Sequence, residues 1–364
     1  MKRVRLPLLL LMLLLPLTSS CGFRDIDKRF FVIAMGIDQP SNGAKGFNVT
    51  LRLAVPSPKI EPGSGKNQVV SIQATSIAEA VRLLKAHVDK ELDFGHCKVF
   101  MLGEGLARNN HTDMLRWLSR RRDVQSVAYM AIGHPDAKSI LNIAPPDERY
   151  PGNTLFLMFG KDGTQSSYLV PVYVFDFIRR TEERGIDPVL PIIRAEGKSY
   201  VITRLALLDK TKLVETITPA QTETYSQIRN QDSKSTVAAV KDGDTMVINV
   251  DRISSHYKIV KANGEHVLRL HLRVSGIFEE APLGIYEANW DKLEELFNEQ
   301  IASEIEKLFK KVQHAGVDPF GFGLRYRATH AGSPQTWKDW ERIYPNLKFD
   351  IHVRVKIDGT GLVK

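Results

Sequence analysis

The chain has 364 residues, 43% hydrophobic and 25% charged, with a formal net charge of +8. That balance fits a globular protein and excludes a fibrous or disordered one. The positive excess is mild and no nucleic-acid reading module accompanies it, so nucleic acid is not an expected partner.

Lys2, Arg3 and Arg5 open the chain, and an almost unbroken apolar stretch runs from Leu6 to Leu17. Thr18, Ser19 and Ser20 then lead into Cys21. A positive start, an apolar core of about 7–15 residues and a small-residue cleavage region define a secretory signal peptide. Residues 1–20 are therefore expected to be removed. The apolar core is shorter than the roughly 20 residues that cross about 30 Å of hydrocarbon. Small residues directly before a Cys resemble the lipobox of bacterial lipoproteins, with Thr18 where that motif usually has Leu. The resemblance implies a diacylglyceryl group on Cys21, which becomes the new N-terminus. Two acyl chains attach stably where one is marginal.

The signal carries three of the positive charges, so the mature part is near +5 (+8 less three). Cys21 and Cys97 are the two cysteines. A lipidated Cys21 leaves Cys97 a lone thiol, with no disulfide to stabilise the body. An exported domain of this length buries enough apolar surface to manage without one. No run of 18 or more apolar residues follows Cys21, which predicts that the body lies outside the bilayer.

A polar tether, Gly22 to Arg29, precedes a strand-like run from Phe30 to Met35 that ends at Gly36-Ile37-Asp38. Phe47 to Val55 alternates apolar and polar residues, as a half-buried strand does. Pro56 to Lys66 reads as an exposed loop, and Val69 to Ala74 as a short strand. Ser76 with Glu79 forms a capping box, and Ile77, Ala80, Val81, Leu84 and Val88 behind it make one helical stripe. Phe94 to Leu102 is predicted to be a strand, Leu106 to Arg120 helical, Val127 to Ile132 a strand and Pro135 to Ile143 a short helix. This alternation points to an α/β domain over residues 21–190. Tyr168 to Ile178 contains Pro171 and Asp176 and cannot be assigned from its period. Thr181 to Gly185 is a polar break and Pro188 to Ala195 extended, which places the main boundary between Gly185 and Lys198.

The remainder, residues 196–364, is β-rich. Tyr200 to Leu208 and Leu213 to Ile217 flank the turn-like Asp209-Lys210-Thr211-Lys212, predicting a hairpin. Met246 to Val250 and His266 to Val274 are strand candidates. From Trp290 to about Val312 runs the strongest helix, with Leu293, Leu296, Phe297, Ile301, Ile305, Leu308, Phe309 and Val312 on one stripe. It is predicted to cover one face of an antiparallel sheet, although three heptads also permit a coiled coil. A Trp-rich segment, Trp337 to Tyr344, and an alternating strand, Leu347 to Ile357, end the chain. The fold class expected is therefore mixed α+β.

No catalytic, cofactor-binding or metal-binding residue can be assigned. His96-Cys97 is the most tempting pair, because a histidine can activate a cysteine nucleophile. Adjacent residues on a strand point to opposite faces, so a buried thiol is the expected fate of Cys97. The same rule separates His266 from His271. No HExxH, paired CxxC, GxSxG or GxxxxGK[ST] occurs, and Gly321-Phe322-Gly323 lacks the third glycine of a dinucleotide fingerprint. Arg120 to Arg122, together with Phe320, Phe322, Trp337 and Trp340, could form a docking surface. The commoner outcome is solvated arginines and core aromatics.

Two stretches carry a family resemblance. One runs from Cys21-Gly22-Phe23-Arg24-Asp25-Ile26-Asp27 through Phe31 to Asp38, then Ala78-Glu79-Ala80, Gly95-His96 and Leu118-Ser119-Arg120. The other is Asp318-Pro319-Phe320-Gly321-Phe322-Gly323, then Trp337-Lys338, Trp340, Tyr344 and the last strand through Gly359. Together they resemble the Ger(x)C family of spore-germination lipoproteins, the C subunits of nutrient germinant receptors. The resemblance implies a three-domain mixed α/β subunit without catalysis. It would sit on the outer face of the inner spore membrane through acylated Cys21, beside integral membrane A-type and B-type subunits. Direct nutrient binding by this subunit is not expected. The alternative from another class is a lipid-anchored solute-binding protein, which should show two similar lobes around a cleft. An exported hydrolase would rest on His96-Cys97 and unassigned carboxylates.

Overall fold

A computed structural model describes residues 28–361 apart from positions 42, 55–66, 147, 149–151, 161–165, 231–233 and 331–332. The predicted signal, Cys21, most of the tether and the loop from Pro56 lie outside the described residues.

The first half runs β1 (Arg29–Asp38), β2 (Phe47–Ala54), β3 (Asn67–Ala74), α1 (Ile77–Ala86), β4 (Glu91–Asp93), β5 (Val99–Gly103), α2 (Glu104–Asn109) and α3 (Thr112–Arg120). It continues with β6 (Tyr129–His134), α4 (Ala137–Leu141), α5 (Asn153–Phe159), α6 (Val174–Glu182), β7 (Val189–Glu196), β8 (Ser199–Leu208) and β9 (Leu213–Ile217). These strands form a nine-stranded sheet in the order β3-β2-β1-β5-β6-β7-β8-β9, with β4 paired to β1. The centre, β1-β5-β6-β7, is parallel. Antiparallel strands flank it on both sides. A parallel centre is covered on both faces, and β5 is accordingly buried at all five positions. Helices α4 and α5 pack over Ala34, Met101 and Ala131 on one face. Helices α1, α3 and α6 cover the other, against Val32, Phe100 and Ile132.

After α7 (Pro219–Asn230) come β10 (Thr236–Lys241), β11 (Asp244–Ala262), β12 (Glu265–Glu280), α8 (Trp290–His314), α9 (Phe322–Thr329), α10 (Pro334–Ile343) and β13 (Lys348–Gly359). The second sheet has the order β10-β11-β12-β13. Its first three strands are antiparallel, and β13 joins β12 in parallel.

The stripe on α8 lies against this sheet, with Leu293, Phe297, Ile301, Ile305, Leu308, Phe309 and Val312 buried. Burying an aliphatic or aromatic side chain contributes about 1.5–3 kcal/mol, so this contact is a main source of stability for the second region. The helix also reaches both edge strands. Asn298 and Glu294 accept the Val355 and Ile357 N–H groups of β13, at 2.7 and 2.9 Å. On the other edge Gln300 accepts from the Val240 N–H at 2.9 Å and donates to its carbonyl at 2.8 Å. Unpaired strand edges template association, and these side chains on the helix cap part of each edge. No partner helix is needed, so the coiled-coil option is not used.

Several expectations are met closely. Ser76 Oγ caps α1 by accepting the Glu79 N–H at 3.2 Å, while Glu79 accepts from the Thr75 N–H at 3.0 Å. Asp209 Oδ1 accepts from the Thr211 and Lys212 N–H groups at 2.6 and 2.7 Å, fixing the β8–β9 turn. The strand expected from Phe94 starts only at Val99. Asp93 accepts the Gly95 N–H, and the Cys97 N–H returns to the Phe94 carbonyl at 3.0 Å, so residues 94–97 turn instead. The unassigned stretch around Asp176 is helix α6.

Candidate functional site

The motif aspartates near the two ends of the chain do the same kind of work. Asp38, at the end of β1, accepts the Ala137 and Lys138 N–H groups at 2.7 and 3.0 Å. It thereby seats α4 on the sheet. The fit is close: a Cβ on Gly103 would lie 1.9 Å from Asp38 Oδ1. Burial raises the Asp38 carboxyl to about 6.

Asp318 is likewise enclosed, at 4% exposure. Its Oδ1 accepts the Gly321 and Phe322 N–H groups at 2.8 and 3.0 Å, and its Oδ2 accepts the Gly323 N–H at 2.7 Å. This cradle starts α9. Gly321 has φ 79°, and a Cβ on Gly323 would lie 2.4 Å from the Trp340 Nε1. Burial pushes the Asp318 carboxyl up to about 7, although three N–H groups donate to it.

A polar buckle surrounds that cradle and joins the two regions. The Asp318 N–H donates to Asp187 Oδ2 at 2.7 Å, and the Asp187 N–H donates to the Asp318 carbonyl at 2.8 Å. Arg180 reaches the Pro319 carbonyl at 3.1 Å, as does the Tyr225 hydroxyl at 3.2 Å. The Leu324 N–H donates to the Gly185 carbonyl at 2.7 Å. Lys210 Nζ donates to the Arg180 and Glu183 carbonyls at 2.6 and 2.8 Å and to the Ile186 carbonyl, and pairs with Asp187 Oδ1 at 3.0 Å. Charged groups thus fasten residues 180–187 to residues 318–324. Each carboxylate oxygen here is occupied by backbone or a cation, and Lys210 Nζ and the Tyr225 hydroxyl are taken up by backbone carbonyls. Its chemistry is attachment.

The other candidates are separated. Cys97 is fully buried, and its Sγ donates to the Val99 carbonyl at 3.6 Å. Burial raises the thiol far above its ordinary range, so little reactive thiolate exists. His96 points to solvent with its side chain 60% exposed, its ring edge-on to Phe31 at 4.5 Å. A turn, and not the alternation of a strand, separates the two. His266 packs near Tyr326, whereas His271 stacks on His352 on the opposite face.

The suggested docking surface does not form. Phe320 and Phe322 are core, around Phe309, Tyr225 and Tyr257, and Trp340 is core beside Tyr326 and Tyr344. Trp337 packs against the same core. Arg121 instead lies over Phe94 and Trp117, 4.9 and 5.1 Å from the ring centroids. Arg116, Trp117, Arg120 and Arg121 line an open groove of about 580 Å³. Among the described residues no group of three or more His, Cys, Asp or Glu could hold a metal ion, and no helix is long and apolar enough to cross a membrane.

Sequence reasoning missed three buried polar sites. Arg52, fully enclosed in β2, donates to Glu148 at 2.5 Å, to the Tyr200 hydroxyl at 2.8 Å and to the Ile143 carbonyl at 2.9 Å. His111 is fully enclosed against Phe177, and burial lowers it to about 4, keeping the ring neutral. Arg180 of the buckle, at 5% exposure, is the third. Alternation assigns Arg52 to the face opposite Leu51 and Leu53, and only the cover of both sheet faces reveals that this face is also inside.

Residues 22–195 match the family described as "Spore germination protein N-terminal domain", and residues 203–361 match "Spore germination B3/ GerAC like, C-terminal". The chain belongs to the Ger(x)C family of spore germination proteins. Relatives in this family include spore germination protein B3 of Bacillus subtilis (strain 168), 21% identical over 96% of each chain. Spore germination protein KC of the same organism is 22% identical over 99% of this chain and 97% of that one. The fold is similar to the crystal structure of the GerBC protein, with a TM-score of 0.57 at 17% identity over 88% of this chain and 96% of that one. The interval between the Ger(x)C matches, 196–202, falls at the β7–β8 turn, inside a sheet that continues to Ile217. Both aspartates that carried the resemblance, Asp38 and Asp318, cap helices by accepting backbone N–H groups.

Proposed function

We propose that this chain is a non-catalytic, lipid-anchored subunit of a membrane receptor complex that senses nutrients and triggers spore germination. Acylated Cys21 attaches it to the outer face of the inner spore membrane, beside two integral membrane subunits of A and B type. The observation that carries this reading is the pair of family matches, which together reach from residue 22 to residue 361. The fate of the reactive groups supports the non-catalytic part: Cys97 is enclosed and protonated, and the buckle carboxylates hold backbone. A folded body whose regions are locked together by the Asp318 buckle suits a subunit that transmits contacts.

The two sheets differ in strand number and direction, whereas a solute-binding protein should have two similar lobes. Deleting the gene from a spore former is expected to abolish the response to one class of nutrient. A normal response to every nutrient tested overturns the proposal. Replacing Cys97 by Ala is expected to leave that response intact, and its loss would revive the hydrolase reading.

A further inference from the structure

The outward face of the second sheet carries a concentration of cations that folding does not use. Along β11, β12 and β13, Ile253, Leu270, Leu272, Val274, Val355 and Ile357 point inward and are buried. The alternate residues point to solvent and align in rungs. Arg252, Ser275 and Lys356 share one rung, and Ser254, Arg273 and Arg354 the next. His256, His271 and His352 form the third, and Lys258, Arg269 and Asp350 the fourth.

Asp350 is the carboxylate within these rungs, and it is already held by Arg269 at 2.7 Å and His352 at 2.9 Å. Arg273 lies directly opposite Arg354, an arrangement of like charges that destabilises a sheet. Arg252, Arg273, Arg354 and Lys356 make no ion pair among the described residues. With Ser254 and Ser275 they line a shallow concavity of about 610 Å³, with Asp358 as its one carboxylate. Strands lie about 4.8 Å apart and alternate residues about 6.8 Å apart along a strand. The four cations therefore occupy a patch of the size of one or two phosphate groups.

We propose that this face docks on anionic phospholipid headgroups and holds the second region against the membrane. The inference rests on the membrane attachment proposed above. Arg forms planar, bidentate contacts with phosphate, and the Ser hydroxyls can donate to the same oxygens. No large apolar side chain stands among the outward residues of these rungs, so the contact is surface apposition without insertion. Each cation near an anionic surface strengthens attachment about fivefold. An acyl group at Cys21 would keep such a weak field in play at all times.

The test uses the mature chain, residues 21–364, with Cys21→Ser so that acylation cannot drive binding. Sedimentation is compared on vesicles of pure phosphatidylcholine and on vesicles of equal parts phosphatidylcholine and phosphatidylglycerol. Binding is expected on the mixed vesicles alone, to fall with added salt, and to weaken at least about tenfold in Arg273→Glu/Arg354→Glu. Arg273→Gln/Arg354→Gln should weaken it less, with a melting temperature unchanged or slightly raised. Inorganic phosphate at matched ionic strength should not displace the protein. Equal binding to both vesicles, no binding, wild-type binding by the charge-reversed variant or specific displacement by phosphate each overturns the proposal. Capture on immobilised polyglutamate without vesicle binding also overturns it and reassigns the face to an acidic polypeptide. Acylation of Cys21 is read separately, from the intact mass of the chain extracted from membranes, so failure of one reading is distinguishable from failure of the other.

Discussion

The two sheets treat charge in opposite ways. In the first, a sheet covered on both faces leaves no room for an unpaired cation, and Arg52 on the antiparallel strand β2 survives inside only by binding Glu148, Tyr200 and a carbonyl. In the second, α8 covers one face and the other is left bare, with arginines facing each other across β12 and β13. The first arrangement makes charged residues structural. The second leaves them available for a partner.

That contrast can be broken experimentally, and the largest effect should come from the buried pair. Glu148→Ala strands Arg52 without its partner and is expected to destabilise the fold by about 3–5 kcal/mol, read by denaturant unfolding. A loss below about 1 kcal/mol would mean that water reaches this site. Phe297→Ala, which empties the heart of the helix–sheet contact, should cost a comparable 3–5 kcal/mol or so. If thermal unfolding then remains a single transition, the core shared by the two regions is cooperative, whereas two transitions would show separate units.

The Asp318 buckle should respond to pH. Its carboxyl is raised from 3.8 to about 7 in the folded chain. The folded state therefore holds that proton more tightly than the unfolded one. The stability this contributes is present below about pH 4 and is lost as pH rises toward 7. Asp318→Asn cannot titrate, so its cost relative to wild type should shrink by roughly 2–3 kcal/mol between pH 5 and pH 8. A cost independent of pH would show that the N–H cradle keeps the carboxylate ionised throughout. At the small end, Arg354→Gln removes one of two opposed cations and should change stability by no more than about 0.5 kcal/mol, or raise it slightly. A substantial loss would mean that the outward face is structural after all.

How much of this was legible in the sequence depends on what held each element. Helix α8 was plain because its apolar stripe is long and unbroken. The β8–β9 turn was plain because Asp209 supplies its own acceptor. Helix α7 was invisible for the opposite reason: its inner side includes Thr222, Ser226 and Gln227 beside Tyr225 and Ile228, so polarity and burial do not alternate together. The motif around Asp318 could be recognised as a family mark, but its partners Asp187, Arg180 and Lys210 lie more than a hundred residues away. No local spacing announces such a buckle. The outward charges on β11 to β13 were each visible, yet only strand register places Arg273 against Arg354.

The proposed function depends on this chain acting from a membrane through a lipid on Cys21. It is tested most directly by replacing the chromosomal gene with one encoding Cys21→Ala and following both nutrient-triggered germination and the fraction in which the protein is found. The protein is expected to leave the membrane fraction, and the response to its nutrient class to be lost. A full response with the protein in the soluble fraction would contradict it.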